Sequence, residues 1–140
     1  MSNTREIKFR AWDGTKNRFV IETDMVHVSI AGDISHCSPS GIDGRNDLTL
    51  MQYTGLKDKN GVEIYEGDVL RDDTPGAGNP KEELGQRVGP VVYHDKTAAY
   101  FRKVPKGTFL NYPNMEYVSI NTEQCEVIGN IYENPELLTN

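Results

Sequence analysis

The side chains able to bind a soft metal or act as nucleophiles are His27, His36, His94, Cys37 and Cys125. A structural zinc site draws its ligands in close pairs, because each pair is delivered by one turn of chain. No CxxC, HxxxH or HExxH spacing occurs, and the adjacent His36-Cys37 stands in a polar loop segment. The histidines read as surface residues and the cysteines as small buried or half-buried thiols, so no metal and no cofactor are expected. Nothing beside either cysteine marks it as an activated thiolate. Among the carboxylates, Glu63, Glu66 and Asp68 cluster near a strand end and Asp72-Asp73 follow. Two carboxylates on one face can serve a hydrolase or a metal-dependent nuclease. Glu-Gly-Asp at a strand break is equally ordinary turn chemistry. Asp58-Lys59-Asn60-Gly61 is similar to the end of a calcium loop, but Leu56 stands where an oxygen ligand is required. No phosphate-cradling glycine loop, nucleophile elbow or dinucleotide fingerprint is present. No catalytic residue is assigned, and an enzyme is disfavoured.

The remaining chemistry is cationic. Arg102, Lys103 and Lys106 lie beside Tyr100, Phe101, Phe109 and Tyr112. Cations interleaved with aromatics on a β surface can neutralise and stack single-stranded nucleic acid. These three residues are the candidate nucleic-acid contacts. The chain as a whole opposes that use, since its 15 basic and 21 acidic residues give a net charge of −6. Residues 1–20 and 94–108 are each locally +3, which leaves −12 on the rest. An acidic surface repels phosphate, so nucleic acid is disfavoured except at a local basic face.

The elements that position these groups follow a period of two. Ile7-Lys8-Phe9-Arg10-Ala11 alternates, with Ile7, Phe9 and Ala11 expected inward and the cations outward. Trp12 is expected as a core anchor. Asp13-Gly14 supplies a turn, and Arg18–Ile21 a return strand. Val26–Ile30 is a further strand, and 31–47 reads as an irregular connection with at most one short strand. Leu48–Tyr53 and Val62–Tyr65 flank Asn60-Gly61, a pair that suits a type I′ hairpin. Residues 72–90 are expected as a flexible loop, with a helix start at Asn79–Leu84. Val91–Tyr93 and Ala98–Arg102 form a second hairpin, and Glu126–Tyr132 is the last strand before a short helix over 134–138. Short strands with one or two short helices predict an all-β, mainly antiparallel fold with mixed sandwich and barrel features. The 140 residues suit a single domain over 1–140, with an N-terminal subregion 1–50 and a barrel-like subregion 51–140.

Three segments together carry a resemblance. They are Lys8–Asp13, Met51–Leu70 (MQYTGLKDKNGVEIYEGDVL) and Glu126–Leu138 (EVIGNIYENPELL). In that order they resemble the YopX family of phage and prophage proteins, and the resemblance runs from residue 5 to 138. It implies a mainly β fold and a bacterial cytoplasm. It implies no established activity, so no functional residue is carried over.

The leading expectation is an accessory protein that binds a host or phage protein, or a second copy of itself as a homo-oligomer. The alternative is a nucleic-acid-binding module using Arg102, Lys103 and Lys106, and after it a metal-dependent hydrolase. No apolar run long enough for a membrane helix occurs, and no membrane partner is expected. The N-terminal MSNTREIKFR has no apolar core, so a cytoplasmic location is expected.

Overall fold

The structure is a computed structural model that describes residues 4–20, 25–31, 34–38, 41–43, 48–74, 87–109, 112 and 114–138, with backbone alone in 25–28, 34–38 and 41–43. Every strand ladder in it is antiparallel. The fold is all-β, and one sheet forms a half-barrel. Among the described residues no helix is long and apolar enough to cross a membrane. The chain divides into two compact units, Lys8–Gln52 and a second formed by Met1–Ile7 with Tyr53–Asn140.

In the unit Lys8–Gln52, β1 (Phe9–Asp13) pairs with β2 (Arg18–Phe19) and with the first half of β6 (Leu48–Lys57). The carboxylate of Asp13 accepts the N–H groups of Thr15 and Lys16 at 3.0 Å each, which fixes the turn between β1 and β2. Ala11, Trp12, Leu48 and Met51 are buried. Trp12 meets Phe19 edge-on at 5.1 Å, as a core anchor should. The alternation expected for β1 is corrected. Phe9 is 52% and Ile7 65% exposed, while the Arg10 guanidinium lies over the Phe19 ring at 4.9 Å. A cation that can lie flat on a ring competes for the sheltered face. Residues 31–47 are also more regular than their composition suggests. Strands β3 (Met25–Val28), β4 (Ile34–Ser38) and β5 (Gly41–Asp43) make a three-stranded antiparallel sheet. Pairing with neighbours overrides a turn-rich composition there.

In the second unit, β7 (Glu63–Tyr65) pairs with the far half of β6, where the register shifts between Tyr53 and Lys57. Gly55 sits in that shift at φ 85°, which only glycine adopts without strain. The other strands are β8 (Asp68–Asp72), β9 (Val88–His94), β10 (Ala99–Lys103), β11 (Tyr117–Val118) and β12 (Cys125–Asn130). They form a five-stranded sheet in the order β11-β10-β9-β8-β12. Leu70, Val91 and Cys125 of this sheet and Ile64 of β7 form a buried cluster, with Tyr100, Ile120 and Val127 packed against them. Each aliphatic side chain so buried is worth about 2 kcal/mol relative to exposure.

Two turns differ from expectation. At 58–61, Gly61 has φ 80° but Asn60 does not have a positive φ. Gly61 N–H donates to Asp58 C=O at 3.0 Å, and Asp58 N–H to Val62 C=O at 2.8 Å. This is a type I turn closed by a left-handed glycine, not type I′. The reason is Asp58, whose Oδ1 accepts the N–H groups of Asn60 and Val62 at 2.9 Å each and holds the wider loop. Of the residues expected as a loop over 72–90, Asp72 ends β8 and Val88–Pro90 begin β9, while 75–86 lie outside the described residues. The helix start at 79–84 lies outside the described residues. The terminal helix is one 3₁₀ turn, Pro135–Leu138. It sits against Gly129, where an added Cβ would come 2.5 Å from Asn134 Oδ1 and 2.9 Å from Leu137 Cδ1.

Candidate binding face

Strands β9 and β10 form a hairpin whose register sets Ala99 opposite His94, Tyr100 opposite Tyr93 and Arg102 opposite Val91. Alternation then sorts the side chains onto two faces. Toward the core go Val91, Tyr100, Arg102 and Val104. Away from it go His94, Phe101 and Lys103. The tip carries Ala98 at φ 50°, with Ala98 N–H donating to Asp95 C=O.

The inward face holds an ion. Arg102 is 4% exposed, and its Nη2 lies 3.4 Å from Asp72 Oδ2 on β8. Burial pushes the guanidinium pKa down, and the Asp72 charge opposes that shift. Tyr100 donates from its hydroxyl to Glu66 Oε1 at 3.0 Å. Burial and then that acceptor push its pKa up to about 12.

The outward face holds rings. His94, Phe101 and Tyr117 meet edge-on, with centroids 4.7 Å apart for His94–Tyr117, 6.0 Å for His94–Phe101 and 6.1 Å for Phe101–Tyr117. Tyr117 comes from β11, in register with Lys103. His94 Nδ1 lies 3.0 Å from Thr97 Oγ1, which ties the ring to the hairpin tip. Phe101 and His94 are half-buried, and Tyr117 is exposed. Tyr112 and Met115 are also exposed in the segment leading into β11.

The three cations singled out in the sequence therefore part company. Arg102 is inside, Lys103 is exposed on the ring-bearing face, and Lys106 is exposed in the turn after β10 with Glu116 at 3.8 Å. Of the four cations in 94–108, Arg102 and Lys106 have an acidic partner within 4 Å, which leaves less positive field at the surface than the count implies. The carboxylate candidates serve as local fasteners. Tyr65 hydroxyl donates to Glu63 at 3.1 Å, Tyr100 hydroxyl occupies Glu66, and buried Asp68 accepts the Tyr65 N–H at 2.8 Å. Among the described residues no group of three or more His, Cys, Asp or Glu side chains converges as a metal site needs. Cys125 is a free, buried thiol whose pKa burial pushes up, with the nearby Asp58 and Asp72 charges adding to the rise. The sequence reading missed His94 and Tyr117 as partners of Phe101. The signal available was the β9–β10 register, because placing Val91 in the core sends His94 and Phe101 outward.

The family described as YopX protein matches residues 8–139. Among solved structures the chain is similar to protein EF1440 from Enterococcus faecalis, at 26% identity over 96% of this chain and 99% of that one, with a TM-score of 0.63. It is also similar in fold to protein yopX from Bacillus subtilis, at 19% identity over the same shares, with a TM-score of 0.54. No curated protein matches it. With a match that spans nearly its whole length, the chain belongs to the YopX protein family.

Proposed function

We propose that this chain is a phage- or prophage-encoded accessory protein that works in a bacterial cytoplasm by binding a host or phage protein. The contact surface is the outward face of β9, β10 and β11. The observation that carries the reading is the ring cluster of His94, Phe101 and Tyr117 on that face. Aromatic side chains that are not needed in a core are enriched in protein interfaces, where they bury large area at little entropic cost. The test is capture from a lysogenic Gram-positive host lysate, with wild-type chain and with Phe101→Ser/Tyr117→Ser as baits. A discrete protein kept by the first bait, lost by the second and indifferent to nuclease supports the reading. Equal capture by both baits rejects it.

Nucleic acid is the second reading, on the ground that Lys103 shares this face with the rings. The rings weigh against it, because they pack edge-on against one another and base stacking needs free ring faces. Recovery that vanishes with nuclease, and that weakens steeply with salt, would put it first.

A further inference from the structure

Strand β12 is the last strand of its sheet, with β8 on one side. A strand in that position presents outward main-chain donors and acceptors, a ready template for another strand. On β12 the outward groups at 125 and 127 are taken by one turn. Lys59 N–H donates to Cys125 C=O at 3.0 Å, and Val127 N–H donates to Asp58 Oδ2 at 2.9 Å. Asp58 is 5% exposed, and its other oxygen is held by the Asn60 and Val62 N–H groups of its own turn. Outside, Lys59 Nζ reaches Asp73 at 2.6 Å and Glu126 at 3.8 Å, which pins the turn across β8 and β12.

We propose that the Asp58-Lys59 turn is a cover over the β12 edge, and that the surface beneath it is a pairing site for a second copy of this chain. The occupant follows from the two groups covered. An acceptor at 125 and a donor at 127 are self-complementary across a two-fold axis at 126. A second β12 running antiparallel offers its own Val127 N–H to Cys125 C=O and its own Cys125 C=O to Val127 N–H. That is the isologous contact a symmetric dimer requires. Glu126 meets its own copy at the axis, and Arg71, 2.6 Å away, offsets the repulsion. This site is separate from the ring-bearing face.

Two variants lift the cover by different routes. Asp58→Asn keeps an oxygen for the N–H groups of Asn60 and Val62 but turns an amine toward Val127 N–H. Lys59→Pro suits the second position of a type I turn and deletes the N–H donor to Cys125 together with the ammonium that reaches Asp73 and Glu126. Light scattering after size exclusion, run against concentration, reads the result, with near-UV circular dichroism as the check on folding. The expected result is a folded variant with twice the wild-type mass at concentrations where wild type is unchanged and, in Asp58→Asn, a Val127 amide protected from hydrogen exchange only in the dimer. Folded variants that both keep the wild-type mass overturn the proposal. Unfolding of both also overturns it, because the contacts would then hold the fold together instead of shielding an edge.

Discussion

Neighbouring residues on β10 point to opposite sides of the sheet and reverse the usual allocation of residue types. Arg102 is buried with Asp72 at 3.4 Å, while Phe101 stands on the outer side with His94 and Tyr117. The inner side spends desolvation on an ion, and the outer side leaves rings where water reaches them. A buried pair contributes little net stability but is costly to break from one side. A ring left outside contributes little to folding and keeps its area for another contact. The two faces therefore separate what keeps the sheet together from what it can offer a partner.

Mutations should expose that separation. Asp72→Ala leaves Arg102 buried without this carboxylate and is expected to cost about 4 kcal/mol in chemical denaturation. A loss under about 1 kcal/mol would mean that Arg102 finds other acceptors and that the inner face is not organised around this pair. Tyr100→Phe removes the hydroxyl that Glu66 accepts, and about 1.5 kcal/mol is expected. Phe101→Ala, the very next position, should cost only about 1 kcal/mol while abolishing partner capture. If Phe101→Ala instead destabilises as much as Asp72→Ala, the outer rings are part of the core and the contrast fails.

The smallest effect is electrostatic and tests a third surface. Asp73 accepts from Arg71 at 2.9 Å and from Lys59 at 2.6 Å, and these partners hold its pKa at about 2 against the usual 3.8. A depressed carboxylate pKa gives stability that is complete above 3.8 and is lost as pH falls toward about 2. Thermal midpoints of wild type should fall more steeply across that window than those of Asp73→Asn. Parallel curves would remove Asp73 from the account of acid sensitivity.

Much of this architecture is readable from the residues. Alternation marks β1 as a strand without fixing which of its residues are buried, the apolar run Leu48–Tyr53 marks β6, and Asp13-Gly14 and Asn60-Gly61 mark their turns. The centre of the second unit follows from short apolar runs such as Val69-Leu70 and Val91. What escapes is decided by distant partners. The type of the 58–61 turn depends on the Asp58 side chain, and 31–47 becomes a sheet only through the pairing of β3, β4 and β5. The candidate face escapes for the same reason. Arg102, Lys103 and Lys106 are close in sequence, and it is the pairing with Val91 on β9 and the carboxylate of Asp72 on β8 that go with the first of them being inside.

The Asp58 carboxylate also bears on how the chain acquires its shape. Two of its three donors, Asn60 and Val62, are local, but the third, Val127, lies 69 residues away. The β6–β7 hairpin can start to form as soon as it is made, yet one oxygen of its turn stays in water until β12 arrives. Contacts of such long range are slow to form, because a large loop must close first. On a ribosome the second unit must therefore wait for residue 127 to emerge. Until then the edge of β8 that β12 will cover lies open, and the nascent chain is at its most vulnerable to pairing with the wrong strand.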